Sequence, residues 1–511
     1  MRIITVLDIL QETVSKFGEK TAIIDENENL TFRELEMQAE IIGYSLYKCL
    51  HGETQKPIIL FMEKSCKCFA AMLGILYSGN IYVPMDVKTP IDRLESILEV
   101  IESRIILASL ADYQTLCKIG YKGNVYIYED LVYEYKNVVE KPQLEKLQHT
   151  VLDTHLMYIL FTSGSTGIPK GVAVMHRSVI DYIDAYVEEV GISDLDIVGN
   201  QTPFYTDMSL KDLYMSLKVG ATICIVPQKF FMSPKKLLYY LDDNKVTFIA
   251  WVPTAYRIVA QFDALEKVKP QHLNRFLFSG EAMPISVYEY WRNHYPDAIF
   301  LQQYGPTEIT GACTNYIVTR PYLTDETIPI GKPFGNTGVI LLSENDKEIP
   351  LNDTAHVGEI CVFGTCLAAG YYNNPEKTNE VFVQNPLIRQ YSSIMYRTGD
   401  LAKWDDNGNL VFISRKDYQI KHGGKRIELG EIETAVQSIK EIMACCCVHN
   451  RKKDALVLYY VGDITSKEII IQIQDKIPKY MIPTIYQKQT ELPILANGKL
   501  DRKQMDALAN D

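Results

Sequence analysis

Leu160 to Gly171 reads LFTSGSTGIPKG, a hydroxyl- and glycine-rich loop that follows the apolar run Met157 to Phe161. The apolar run has the length of a short buried strand, and the loop behind it suits a polyphosphate. Gly164 and Gly167 let backbone N–H groups approach anionic oxygens, Thr162, Ser163, Ser165 and Thr166 add donors, and Lys170 adds charge. The spacing is not that of a Walker A loop, because Pro169 precedes the lysine and Gly171 follows it. A plain flexible connection is the alternative for such a cluster taken alone.

Working outward, helical periods alternate with short β-branched or apolar runs from the start to about residue 340, which predicts parallel sheets flanked by helices. Thr5 to Phe17 places Val6, Ile9, Leu10, Val14 and Phe17 on one face, with Gly18 as a stop. Thr31 and Glu34 form a capping box ahead of the next helix. Leu94, Ile97, Leu98 and Ile101 make an apolar stripe over Asp92 to Ser103, and the strand-like Arg104 to Ala108 follows, giving a β-α-β step. Between about Ile328 and Val383, short runs punctuated by Gly and Asn predict a small β-rich subdomain. A polar, turn-prone stretch around Asp417 and His422-Gly423-Gly424 marks a domain boundary, with a helix from about Leu429. The expected architecture is α/β, with a large N-terminal domain over 1–416 and a small mobile α+β domain over 417–511.

Composition narrows the class. At 511 residues, with 47% hydrophobic and 23% charged residues, the chain can bury a large core without disulfides. A net charge of -12 opposes the basic surface that a nucleic-acid partner requires. Eleven cysteines with no secretory leader read as reduced thiols in the cytoplasm, and no apolar run is long enough to cross a membrane. Cys66-x-Cys68 and Cys445-Cys446-Cys447 lack a second pair at zinc-site spacing and read as buried structural thiols.

With these motifs in place, the loop resembles the phosphate-binding loop of the adenylate-forming superfamily: acyl-CoA synthetases, luciferases and peptide-synthetase adenylation domains. The resemblance continues in family order through LTFREL (Leu30 to Leu35), YGPTE (Tyr304 to Glu308), GEICV (Gly358 to Val362) and YRTGD (Tyr396 to Asp400). It runs on through RKDYQIKHGGKRIELGEIE (Arg415 to Glu433), YMIP (Tyr480 to Pro483) and NGKLDR (Asn497 to Arg502), spanning nearly the whole chain. In overall form the chain is similar to stand-alone amino acid adenylation enzymes, including D-alanine:carrier-protein ligases. It departs from many relatives at Ser414, where they carry glycine, at Ala369, where they carry arginine, and at Thr206, where they carry phenylalanine.

The resemblance implies ATP and Mg2+ as cofactors. Joining a carboxylate to the α-phosphate of ATP brings two anions together, so cations are needed at the reacting centre. By resemblance Lys499 bridges substrate carboxylate and nucleotide, Glu308 holds the magnesium ion, and Thr162 belongs to the same catalytic set. Tyr304 would stack on adenine, Asp400 would take the ribose hydroxyls, and Arg415 would support that sugar. Gly280, Glu281, Gly305 and Thr307 complete the expected nucleotide site. Asp417 resembles the hinge on which the small domain turns to bring the Gly424 region to an incoming thiol.

The resemblance also implies an amino acid substrate. Asp207, in PFYTDMSLKDLY, matches the aspartate that pairs with the substrate α-ammonium in amino-acid-activating members. A buried carboxylate is costly unless a cation joins it. The remaining pocket positions are Met208, Lys211, Ala250, Leu277, Ser279, Gln303, Gly311 and Ala312, which leave small or polar amino acids as the range. Lys211 either pairs with an acidic side chain or is turned to solvent by its helix. The chain ends nine residues after Arg502, so the expected acceptor is a phosphopantetheinyl carrier protein in trans, with coenzyme A as the alternative.

Overall fold

The strand ahead of the phosphate loop runs Leu156–Thr162 and returns antiparallel as Lys170–Met175, so Thr162 faces Lys170 across the hairpin. The computed structural model describes residues 3–162, 169–323, 326–416, 419–493 and 500–510, without the side chain of Lys503. Ser163, Gly164, Ser165, Thr166, Gly167, Asp417 and Lys499 therefore lie outside the described residues.

Two large sheets carry the chain up to about residue 333. One has seven strands, with a parallel centre around Pro57–Phe61 and Ile81–Pro84, and the phosphate-loop hairpin is part of it. The other has nine strands, and its parallel centre includes Ile197–Asn200, Phe248–Trp251, Arg275–Ser279 and Ile299–Tyr304. The expected β-α-β step is present as Ile81–Pro84, the helix Ile91–Ile101 and Ile105–Ala108. Thr31 and Glu34 form the expected reciprocal cap. The helix Val6–Phe17 ends at Gly18, whose φ of −51° is ordinary, so the glycine serves by making room for Arg33 and the Val14 carbonyl.

The β-rich unit extends further than its Gly/Asn punctuation predicted. Its antiparallel sheet uses Thr337–Leu342 and Gly358–Gly364 but also Ile394–Trp404 and Leu410–Arg415. Ile394–Trp404 is long, with alternating burial and one glycine, and Leu410–Arg415 has none, so the punctuation marks only the first half.

After residue 418 comes the hairpin Gln419–His422 and Lys425–Glu428, then the helix Leu429–Gln437 and a three-stranded sheet with its own apolar cluster around Ile432, Val436 and Leu458. Cys66, Cys68 and Cys445 to Cys447 are buried and free, while Cys117 is exposed.

Candidate active site

The nine-stranded sheet builds a floor. Ala250 lies beside Leu277 in register and Ser279 beside Gln303, and the period of two puts all four on one face. Over that floor runs the helix Asp207–Val219, with Asp207 in its first turn and Met208 beside it. The loop after Tyr304 closes the end: a Cβ on Gly305 would lie 2.6 Å from the Gly311 carbonyl, so only glycine allows this approach.

A cavity of about 110 Å³ opens here, lined by Thr162, Asp207, Met208, Ser279, Gly280, Gly305, Thr307, Gly311, Asp400 and Arg415 among others. The structure thus gathers many of the expected residues around one space. Lys211, Ala250, Leu277, Gln303 and Ala312 are buried but do not line it. Glu281 is turned to the C-terminal hairpin, where it accepts from the Gly424 N–H at 2.7 Å and the Thr254 hydroxyl at 2.7 Å.

Asp207 is half-buried and accepts from Thr307 Oγ1 at 2.9 Å and the Met208 N–H at 2.9 Å. Burial raises its pKa above the usual aspartate value against the pull of Thr307, Lys421 and Lys211, so the carboxyl calls for a cation. A surface-loop position for this aspartate is excluded. Lys211, only 3% exposed, is not turned to solvent.

Asp400 accepts from Arg415 Nη1 at 2.6 Å and from the Tyr304 hydroxyl, and it pairs in register with Arg415, which like Tyr304 ends its strand. Thr162 Oγ1 is buried without a hydrogen-bond partner among the described residues. Lys170 lies over the Tyr371 ring at 5.3 Å and 3.7 Å from Glu428. Burial, then Arg426, lower its pKa.

Glu308 is fully buried and binds Arg426 Nη1 through both oxygens, at 3.0 and 2.9 Å, and the Tyr371 hydroxyl at 2.7 Å. Burial alone would raise its pKa, but Arg426, Tyr371 and Lys170 hold it below the usual glutamate value. The carboxylate is thus an ionised group that receives a cation, which is the chemistry a magnesium ion needs. Here the guanidinium takes that place.

Sequence reasoning missed Arg426 and Lys421. Both sit on the hairpin as direct cross-strand partners. Like charges in that relation repel unless each finds an anion. Lys421 is half-buried near Asp400 and Asp207, with its ammonium 5.7 Å from the Tyr304 ring centroid, and Arg426 meets Glu308. The alternation around Gly423-Gly424 is the signal that would have placed them on one face.

The fold, with nucleotide-type acid and base groups converging on one cavity, is that of an adenylate-forming enzyme. The chain belongs to the AMP-binding enzyme family, whose pattern matches residues 10–372. It is 30% identical over 502 residues to tyrocidine synthase 1 of Brevibacillus parabrevis, covering 97% of this chain and 44% of that protein. The chain therefore spans less than half the length of that relative. It is 29% identical over 516 residues to zwittermicin A synthase ZmaJ of Bacillus cereus, covering 98% of this chain and 95% of that one. Among solved structures it is similar to the Vibrio cholerae adenylation domain AlmE in complex with glycyl-adenosine-5'-phosphate, with a TM-score of 0.84, 21% identity, and coverage of 100% and 99%. It is also similar to holo-PA1221, a protein containing adenylation and PCP domains, with a TM-score of 0.82, 23% identity, and coverage of 98% and 84%. No helix among the described residues is long and apolar enough to cross a membrane.

Proposed function

We propose that this chain activates an amino acid with ATP and passes it to the phosphopantetheine thiol of a carrier protein. In the first step a carboxylate oxygen of the amino acid attacks the α-phosphorus, the bond to the β-phosphate breaks, and pyrophosphate leaves. In the second the thiol sulfur attacks the acyl carbon, AMP leaves, and the thiol proton is lost to solvent.

The observation that carries the amino-acid reading is Asp207, a half-buried carboxyl that forms no ion pair within 4 Å among the described residues and lies on the wall of the cavity that also holds Asp400 and Arg415. A fatty or aryl acid would leave it unpaired. Asp400 and Arg415 would hold the ribose, Tyr304 would lie against the adenine once Lys421 withdraws, and Thr162 and Lys170 would meet the phosphates. Glu308 would hold a magnesium ion when Arg426 is withdrawn, and that ion would neutralise charge on the phosphates. Lys499 would bring charge to the two reacting anions. The division into a core over 1–416 and a turning unit over 417–511, hinged at Asp417, accommodates both arrangements.

Support for an extended thiol acceptor comes from a second, larger cavity of about 960 Å³. It shares Phe161, Tyr205, Lys425 and Tyr480 with the smaller one, so the two cavities adjoin at the same side chains. Coenzyme A carries the same pantetheine arm and is the second reading. The test is amino-acid-dependent exchange of pyrophosphate into ATP across the proteinogenic amino acids and D-alanine. Exchange with simple carboxylic acids alone would overturn the reading. Loading of a holo carrier protein without turnover of coenzyme A separates the two acceptors.

A further inference from the structure

Arg93 stands in the first turn of the helix Ile91–Ile101, where the positive end of the helix works against a cation. Glu431 stands in the first turn of the helix Leu429–Gln437, where the same end favours an anion. The two first turns meet, and Arg93 Nη1 donates to Glu431 Oε1 across 338 positions of chain. Arg93 is 8% exposed and Glu431 2%, so water reaches little of the pair. Among the described residues the Glu431 carboxylate is the only hydrogen-bond or ion-pair partner of the Arg93 side chain.

Arg93 belongs to the core and Glu431 to the unit after residue 418, so the pair exists only in this arrangement of the two. A buried ion pair adds little over a well-packed apolar contact of the same volume, but a buried charge left alone is strongly unfavourable. A misaligned dock would bury both charges unpaired, whereas separation of the two units returns both to water. The pair therefore selects one orientation without making it irreversible.

That orientation decides what stands at the border of the two cavities. The strand Lys425–Glu428 runs straight into the helix that carries Glu431, so fixing the helix also fixes Lys425. The Lys425 ammonium lies 4.0 Å from the Tyr480 ring centroid and donates to the Tyr205 hydroxyl at 3.3 Å, and that hydroxyl donates to Asp86 Oδ2 at 2.8 Å. Tyr480 has Arg93, Glu431 and Asp86 as charged neighbours. Of the four side chains the cavities share, Lys425 and Tyr480 come from the later unit and Phe161 and Tyr205 from the core. Glu431 lines neither cavity, so its influence on them passes through the helix it anchors.

We propose that Glu431 is a positioning residue for the thiol-acceptor step: by pairing with Arg93 it holds the later unit in the orientation that brings Lys425 and Tyr480 to the border of both cavities, and it takes no part in adenylation. This rests on the thiol-transfer reading above. The test compares the full-length wild type with Glu431→Gln, Arg93→Glu and the charge-swapped double variant Arg93→Glu with Glu431→Arg. Pyrophosphate exchange reads the first step, thioester formation on a holo carrier protein and on coenzyme A reads the second, and amide hydrogen exchange over residues 419–428 reads docking without any acceptor. Glu431→Gln should speed hydrogen exchange there by about fivefold or more, with the sheet of Ile442–Asn450 and Ala455–Gly462 unchanged as the control for folding. Thioester formation should fall by about 10-fold or more while pyrophosphate exchange stays within about threefold. The swapped pair should recover part of both losses relative to Arg93→Glu alone. Unchanged protection over 419–428, an equal loss in the two activities, or a double variant no better than the single one would overturn the proposal. A wild type that exchanges pyrophosphate but loads neither acceptor would overturn the thiol-transfer reading and this role with it, and the hydrogen exchange would still show whether the pair fixes the dock.

Discussion

Arg426 Nη1 lies 3.0 and 2.9 Å from the two carboxylate oxygens of Glu308, on a side chain with no solvent exposure. Arg426 belongs to the hairpin after residue 418 and Glu308 to the loop after the strand Ile299–Tyr304. The same oxygens would be needed by a magnesium ion, so guanidinium and metal are alternatives at one carboxylate. Breaking a buried pair from one side typically costs about 3–5 kcal/mol. Arg426→Ala should therefore weaken this arrangement of the hairpin. Thioester formation is expected to fall by about 10-fold or more while pyrophosphate exchange stays within about threefold, because only the former uses the docked hairpin. Equal loss in both assays would show that Arg426 serves the nucleotide step instead.

Gly424 has φ +73°, and a Cβ there would lie 2.5 Å from Val252 Cγ1. Its N–H donates to Glu281 at 2.7 Å. Any side chain must strain the backbone and push Val252 from the core, a combined cost on the order of 1–3 kcal/mol. Gly424→Ala should lower acceptor loading by about 10-fold or more with pyrophosphate exchange little changed, measured with a radiolabelled amino acid. Undiminished loading would mean that the hairpin does not dock this way during transfer.

Asp207→Asn should separate stability from function. A carboxyl whose folded pKa is raised keeps a proton that the unfolded chain has released, so its contribution to stability falls as pH rises through that window. Removing the charge should raise Tm by about 1–3 °C at pH 8. The gain should shrink at acid pH, where the native carboxyl is neutral in both states. Exchange should fall by about 100-fold or more as the ammonium loses its partner. A variant with lower Tm at every pH would show Asp207 to be already balanced by Lys421 and Lys211.

Much of this protein was legible in its sequence because the relevant signals are local. Alternating apolar periods located the parallel strands, Thr31 with Glu34 located a helix start, and the ordered motifs from Leu30 to Arg502 carried the family. Asp207 stood out because a carboxylate in that motif needs a cation wherever the chain folds. What the sequence left open was decided by contacts across long separations. Whether Lys211 faced solvent or core depended on the packing of its helix over the sheet of Ala250 and Leu277, and only tertiary structure buries it. Lys421 and Arg426 read as ordinary hairpin charges until the fold sets them against Asp400 and Glu308, residues 21 and 118 positions away. Glu281 matched a nucleotide-site motif, yet it binds the Gly424 N–H because the hairpin reaches it in space. Motif and period are written in neighbouring residues, whereas burial and pairing of charge arise only when distant segments share one low-dielectric interior.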